Sequence, residues 1–320
     1  MSSSSYRCNH TDIESILYSP EVCAYRFGVA ELKPVDSSAG NLFDTWIENH
    51  YHGDMEYMEK YSGIRKDPTQ LLEDAKSIIV CAFPYTRPAN IDWRERALRI
   101  AAYALGDDYH DVLRRRLSIA VRQMEDRWGG QYRVCIDTAP LQERYWAVKS
   151  GLGYIGLNGL LMIPGAGSCF FLGSIITTLE VQPDQPCELD CGNCRRCIAC
   201  CPANAIKDAP PAFGKNKTVI DARKCFSCLT IEKRGELPQN IQLGNRLYGC
   251  DTCQSVCPHN RLTEAPEPLP EFIPRQGLLG LTKEKVEQMT HEEYCCLFKG
   301  SAIKRAKLEG LKRNASHTDK

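Results

Sequence analysis

Cys191-Gly-Asn-Cys194-Arg-Arg-Cys197-Ile-Ala-Cys200-Cys201-Pro202 sets four cysteines apart by two, two and three residues and closes on a proline. This C-x2-C-x2-C-x3-C-P run is the pattern of bacterial two-cluster iron–sulfur domains. Short spacers let the first three thiolates converge on corners of one cubane, with backbone amides directed at the sulfurs. The fourth cysteine leaves that loop and reaches a second cluster. Further along, Cys250-x2-Cys253-x3-Cys257-Pro258 supplies three more thiolates without the upstream cysteine of a full repeat. The missing ligand must therefore come from Cys225 or Cys228. The assignment is one [4Fe–4S] cluster on Cys191, Cys194, Cys197 and Cys257, and a second on Cys201, Cys225, Cys250 and Cys253. Four-cysteine zinc ribbons also use C-x2-C pairs, but zinc does not require the longer run. Cys200 falls one residue out of register and reads as a bystander. Cys81, Cys135 and Cys169 read as small buried hydrophobes.

The rest of the composition is ordinary. The chain has 320 residues, 40 Lys plus Arg against 40 Asp plus Glu, 43% apolar and 25% charged residues. A net charge of zero excludes a polybasic protein that holds nucleic acid by bulk charge, though one local basic face remains open. No apolar run approaches the roughly 20 residues of a membrane helix. The first eight residues, through Tyr6, Arg7 and Cys8, carry no apolar signal core. A cytoplasmic protein is expected, and 18 cysteines in a reducing compartment read as metal ligands rather than disulfides.

Residues 1–180 read as an α/β domain, a mixed sheet with flanking helices. Ser77–Phe83, Val134–Ile136 and Phe170–Thr178 suit buried strands. Asp111–Trp128 is an amphipathic helix with Leu113, Leu117, Ala120 and Met124 on its inner face, and Arg114, Arg115 and Arg116 on a solvated one. Gly151-Leu-Gly-Tyr-Ile-Gly156 matches the dinucleotide fingerprint by letter, but it follows a predicted helix over Leu141–Ser150 instead of opening one, and reads as a helix stop and turn. A Pro-rich shift near Val181–Pro186 marks a boundary. Residues 181–262 then form a ferredoxin-like α+β domain with two clusters. Residues 263–320 comprise a proline linker, Glu264–Glu271, a helical segment over about Lys283–Leu311 and a basic tail.

The stretch Asp137-Thr-Ala-Pro-Leu-Gln-Glu-Arg144, with Trp146-Ala147 and Gly151-Leu-Gly-Tyr-Ile-Gly-x-Asn158, resembles the epoxyqueuosine reductase family. So do Asp108-Tyr-His-Asp-Val-Leu113, Phe171-Leu-Gly173, Asn245-Arg-Leu-Tyr-Gly-Cys-Asp-Thr-Cys-Gln254, His52-Gly-x-Met55 and Arg65-Lys-Asp-Pro68. The resemblance covers about residues 20–315 in order. It implies a cobalamin-dependent iron–sulfur enzyme that reduces epoxyqueuosine at the wobble position of a tRNA, with a ferredoxin or flavodoxin as electron donor. It further implies Asp137 as proton donor and cofactor contact, and a base-off corrin without a protein histidine ligand. The only near match to a D-x-H-x-x-G cobalt-ligand motif, Asp108-Tyr-His110, has Leu113 in place of glycine. Arg65, Ala101, Asn158, Leu161 and Leu172 fall where the family holds its corrin, and Tyr109, His110 and Arg144 match family motifs with roles left open.

Removing an epoxide oxygen takes two electrons and two protons, and side chains supply only the protons. A carboxylic acid beside an apolar corrin face could stay protonated near neutrality, which is the expectation for Asp137. On the residues alone, the alternative is an Asp capping the next helix. The chain departs from the family at Cys228, where an aromatic is usual, so Cys225 keeps the ligand role. It also ends at Lys320, without the helical-repeat extension of longer members. Lys304, Arg305, Lys307, Lys312 and Arg313 either compensate as a tRNA-binding stretch or form a solvated helix. A monomer is expected. The rivals are a corrinoid small-molecule reductase, a ferredoxin-type electron carrier and a zinc-stabilised RNA-binding protein.

Overall fold

The structure, a computed structural model, describes residues 8–213, 217–239, 241–261 and 266–319. The reading of residues 1–7, and Glu264 and Ala265 of the proline linker, lie outside the described residues. The amino-terminal half is built on four strands: β1 (Arg26–Glu31), β2 (Ser77–Pro84), β3 (Tyr132–Cys135) and β4 (Phe170–Thr177). Their order is β1-β2-β4-β3, and every neighbouring pair is antiparallel. The sheet is therefore antiparallel, not mixed as expected. The cause of the discrepancy is burial. All eight residues of β2 are buried, and a strand covered on both faces reads as a continuous apolar run, the same signal a parallel strand produces.

Successive β2 side chains serve two cores. Ile79, Cys81 and Phe83 face one cluster with Leu113, Leu117, Ala120 and Met124 of α1 (Tyr109–Trp128). Ile78, Val80 and Ala82 face another with Trp146 and Ala147 of α2 (Glu143–Lys149). The helix α1 starts where the Asp108 carboxylate accepts the His110 amide and stops at Gly129, whose φ is +66°. Two glycines set how closely these helices approach. A Cβ on Gly173 of β4 would sit 2.6 Å from Leu117 of α1, and one on Gly28 of β1 would sit 1.9 Å from the carbonyl oxygen of Ser150 at the end of α2. Gly151, at φ +75°, ends α2 in the predicted turn, and the chain then forms the hairpin of Tyr154–Ile155 with Leu161–Met162.

The arginines of α1 are not all on a solvated surface. The Arg116 side chain is 11% exposed and pairs with Glu271 at 2.8 Å, while Arg115 reaches the same carboxylate at 2.7 Å. Glu271 lies at the end of the proline linker, in a short 3-10 turn over Pro270–Phe272 whose Phe272 is buried against Phe171. This part of the linker is thus fastened to the sheet domain.

The carboxy-terminal residues form no separate tail. The single helix expected over Lys283–Leu311 is broken into Lys283–Gln288, His291–Leu297, a 3-10 turn over Ala302–Ala306, and α3 (Lys307–Ser316). Thr282 and Thr290 cap the two short helices. Leu311 and Ala315 of α3 join a core with Leu98, Ile100, Leu105, Ile231, Leu247 and Tyr248. Residues Arg99–Ile100 pair in parallel with Arg246–Tyr248 beneath it. Asn314 is fully buried and donates to the carbonyls of Thr230 and Leu247 at 2.8 and 2.9 Å. Of the five basic residues, Arg305 is bonded to Glu232 and Arg313 to the carbonyls of Leu229, Lys233 and Gly235. Lys304 and Lys307 are exposed. No helix among the described residues is long and apolar enough to cross a membrane.

Gly28→Ala should lower the thermal unfolding midpoint, because the added methyl meets backbone rather than a movable side chain. The expected cost is about 1–3 kcal/mol or somewhat more, read by calorimetry against the wild type.

Candidate active site and cluster-binding loops

The first expected cluster set is brought together. Cys191, Cys194, Cys197 and Cys257 line one small cavity with Leu157, Asn158, Met162 and His259. Among the described residues, no group of three or more Cys, His, Asp or Glu side chains is gathered tightly enough for a single ion. The four thiols share one cavity lining, as a cluster held by all four requires. The amide of Leu157 donates to the Cys191 sulfur at 3.4 Å, and backbone amides also face the sulfurs of Cys197 and Cys257. Amide dipoles directed at sulfur are what an anionic cluster needs.

The second set is also consistent. Cys225 lies in the electrostatic field of Cys250 and Cys201, and Cys253 in that of Cys250 and Cys225. The amide of Ala205 donates to the Cys201 sulfur at 3.3 Å. Cys228 faces Cys225, Glu232, Asp54 and Lys233 instead, and burial foremost pushes its thiol up to about 12. Cys253 additionally feels Cys197 of the first set, so the two sets are neighbours. Cys200 is exposed, and Cys81, Cys135 and Cys169 are buried as expected.

The second cysteine loop is tied to the sheet domain by a buried polar knot. Asn260 accepts the Ser168 amide at 2.7 Å and donates to the Ser168 hydroxyl at 2.9 Å and the Gln254 carbonyl at 3.0 Å. Gln254 donates to the Tyr85 hydroxyl at 2.9 Å. Next to Cys250, a Cβ on Gly249 would meet that of Ala101 at 2.4 Å, and Asp251 accepts the Ala102 amide at 2.8 Å.

Asp137 follows β3 with a φ of +36°, a strained conformation for a residue with a Cβ, costing about 1–3 kcal/mol. Its amide donates to Glu143 Oε1 at 2.8 Å, at the first turn of α2. The carboxylate does not cap that helix, which removes the capping alternative. Instead Asp137 Oδ2 accepts the Tyr109 hydroxyl at 2.6 Å and faces His110 Nε2 at 3.1 Å. Tyr109 is itself stacked on Phe171 at 4.5 Å, in a wall with Tyr85, Tyr103 and Phe272. The Asp137 side chain keeps 56% of its exposure, yet charges from several elements act on it. It is an open group in a recess.

The electrostatics overturn the expectation that Asp137 is held protonated. Burial does work to raise its pKa, but the hydrogen bonds of His110 and Tyr109, and the charges of His110 and Arg144, hold it below the usual carboxylate value. The protonated carboxyl is Glu143, pushed up to about 8 by burial first and then by the Asp137 charge. His110, against the effect of burial, is raised to about 9 by its bonds to Asp108 and Asp137. Glu143 stands inside the Asp137–Arg144 motif. Nothing in its spacing marks it, because its burial arises from how α2 folds back.

The expected corrin contacts divide into three places. Arg65 is 6% exposed, donates to the Leu141 carbonyl at 3.3 Å and feels Tyr57, Asp137 and Glu143; its Nε has no partner. Leu161 and Leu172 border the same apolar cluster, with Leu161 buried and Leu172 half-buried. Asn158, 6% exposed, lies in the wall of the first cysteine cavity, and its Nδ2 is also unpartnered. Ala101 abuts the loop before Cys250. Two buried donors left without acceptors are what residues reserved for a polar cofactor rim would show. Arg144 is exposed and donates to the Gly159 carbonyl at 2.9 Å.

Two variants test the cysteine assignment. Cys225→Ser should drop the iron content of anaerobically purified protein from about eight to about four per chain, whereas Cys228→Ser should leave it unchanged; elemental analysis and electronic spectra read both. Glu143→Gln should alter the pH dependence of stability. A carboxyl raised from 4.5 to about 8 binds its proton more tightly in the folded chain, so it stabilises fully below the unfolded value and that contribution is lost as pH rises through 8. The variant should show a smaller decline in thermal midpoint between pH 5 and 8.

Comparison with known proteins agrees with this geometry. Residues 65–138 match the family model "Epoxyqueuosine reductase QueG, DUF1730", and residues 190–260 match a "4Fe-4S double cluster binding domain". An epoxyqueuosine reductase of Cyclobacterium marinum is 40% identical over 291 residues, 90% of each chain. A crystal structure of epoxyqueuosine reductase with an epoxyqueuosine-modified tRNA-Tyr stem loop superposes with a TM-score of 0.82 at 28% identity, covering 95% of this chain and 80% of that one. One from Bacillus subtilis, whose catalytic aspartate loop is swung out of the active site, superposes with a TM-score of 0.78 at 27% identity over 95% of this chain and 80% of that one. With these relatives and the two-cluster module in one chain, the protein belongs to the epoxyqueuosine reductases, a family of oxidoreductases.

Proposed function

We propose that this chain reduces epoxyqueuosine to queuosine at the wobble position of a tRNA, with Asp137 delivering a proton to the departing epoxide oxygen. The observation that carries the reading is Asp137 itself: an open carboxylate, on strained backbone, bonded to Tyr109 and His110, in a chain whose two cysteine sets lie side by side. Cobalamin, bound base-off and recharged through two [4Fe–4S] clusters, would supply the electrons. Arg65, Ala101, Asp137, Asn158, Leu161 and Leu172 would hold it; the unpartnered Arg65 Nε and Asn158 Nδ2 suit its polar rim.

The chain's own residues then have separable tasks. Residues 1–180 would carry the catalytic recess and residues 181–262 the clusters. Residues 263–320 would complete the wall between them. Tyr109 and His110 hold the Asp137 carboxylate in one orientation. The aromatic wall behind Tyr109 keeps water from that side. The Bacillus subtilis relative with its aspartate loop swung out supports a loop that moves for substrate entry; here the bonds to Tyr109, His110 and Glu143 hold the strained Asp137 in place.

Arg144 and Lys304, both exposed, favour an anionic substrate over the apolar pocket expected of a small-molecule reductase. An unstacked anticodon base, held by stacking and hydrogen bonds, fits such a rim. A low-potential ferredoxin or flavodoxin is the proposed donor, and a cytoplasmic monomer the proposed state.

The test is anaerobic turnover of an epoxyqueuosine-containing stem loop with cobalamin and a low-potential reductant, followed by mass spectrometry. The wild type should lose one oxygen from the nucleoside. Asp137→Asn should slow single turnover by about 100- to 10,000-fold while keeping iron, corrin and stem-loop affinity. Retained turnover would remove Asp137 from the reaction, and no oxygen loss by the loaded wild type would remove the reading as a whole.

A further inference from the structure

We propose that His110, anchored by Asp108, is the residue that recharges Asp137 with its proton, so that Asp108, His110 and Asp137 form one proton-delivery line. This rests on the reading of Asp137 as donor. It extends that reading to a residue whose sequence motif left its role open.

The geometry is specific. His110 Nδ1 lies 2.7 Å from Asp108 Oδ1, the oxygen that also accepts the His110 amide at 3.1 Å. Nε2 lies 3.1 Å from Asp137 Oδ2. The ring stacks on Tyr109 at 4.0 Å and 28°. Both ring nitrogens are therefore committed to carboxylates, and the ring has one orientation. Two carboxylates also explain why a cation is tolerated in the first turn of α1, where the helix dipole opposes it.

Asp137 at rest is the anion of the pair and has no proton to give. Its other donor, Tyr109, is an unsuitable source because burial, before the Asp137 charge, drives its hydroxyl far above its ordinary pKa. Glu143 is protonated but meets the Asp137 amide, not its carboxylate. His110 alone joins a transferable proton to the reacting oxygen's donor. Its side chain is 24% exposed, so it has a route to solvent.

The balance is as follows. Two C–O bonds of the epoxide break, two electrons enter from the reductant, and the oxygen takes two protons to leave as water. As Asp137 transfers one proton to that oxygen, the Nε2 proton of His110 passes to the Asp137 carboxylate. Neutral His110 then regains a proton from water, favoured by Asp108. The second proton comes from solvent.

The groups that set the pH response are spread over several elements. Asp108 and Tyr109 border the ring on α1. Asp137, Glu143 and Arg144 come from the loop and α2, and Arg65 and Tyr57 from the segment before β2. Lys304 acts on Asp108 from the carboxy-terminal turn. None of them is a proposed cluster ligand.

The experiment uses the loaded enzyme, pre-reduced, with the stem loop in single turnover across pH 6 to about 10. The wild-type rate should fall as pH rises through about 9. His110→Gln keeps an N–H toward Asp137 but carries no titratable proton. It should be slower by about 100-fold or more and lose that limb, with stem-loop affinity and iron content unchanged. Asp108→Asn should move the limb to lower pH. Independently of turnover, histidine 15N NMR of the oxidised holoenzyme should show one imidazole titrating near 9, absent in His110→Gln and shifted down in Asp108→Asn.

A His110→Gln rate within twofold of wild type with the limb retained, or an imidazole already neutral at pH 7, overturns the proposal. If His110→Gln fails to fold, the Asp108→Asn shift decides. A wild type that removes no oxygen refutes the functional reading instead, while the NMR titration still tests the Asp108–His110–Asp137 line.

Discussion

The buried bonds among Ser168, Asn260, Gln254 and Tyr85 hold the second cysteine loop, with Cys250, Cys253 and Cys257, against the end of the central sheet. Everything the protein does depends on that junction. Electron transfer falls off steeply with distance, so under the proposed reaction a cluster loop that drifted from the recess would be useless to it. A purely apolar contact could slide; a set of mutually satisfied amides and hydroxyls in a low-dielectric interior has one arrangement. The glycine at 249, pressed against Ala101, fixes the second loop in the same way by leaving no room for any side chain.

Around Asp137 the constraint is electrostatic. Asp108, Tyr109, Asp137 and Glu143 meet His110, Arg144 and Arg65 in one recess, and they do not share charge evenly. Asp137 stays anionic because its oxygen receives two donors. Glu143 becomes the neutral carboxyl because desolvation, and then the neighbouring Asp137 charge, outweigh the single backbone amide it receives. Two nearby carboxyls with pKa values pushed apart are a recurring device of acid–base sites. Here the anion faces the recess and the neutral acid supports its backbone.

The carboxy-terminal helices belong to the same design. Their apolar faces close a core with residues 98–105, Ile231, Leu247 and Tyr248, and two of their five basic residues, Arg305 and Arg313, are consumed in internal bonds. Arg305 bonds Glu232 while lying over Tyr57, an aromatic ring left exposed near the recess. A stretch that reads in isolation as a cationic tail is thus mostly internal structure, with Lys304 and Lys307 remaining available to an anionic partner.

Local chemistry was readable from residue order alone. The double-cluster region follows from cysteine spacing, because a cubane needs thiolates a few residues apart, and the helix α1 follows from apolar residues at 3.6-residue intervals. The turn at Gly151 follows from its position behind a helix. What sequence could not decide was whatever depends on two distant segments meeting. The antiparallel pairing of β2 with β4, the pairing of Arg116 with Glu271 and the burial of Glu143 each join parts of the chain whose separation leaves no local pattern. The protonation of Asp137 belongs with them. A carboxyl's charge state is set by the groups around it in space, and the one that governs this site, His110, lies on a different element and reaches Asp137 only once α1 packs beside β3.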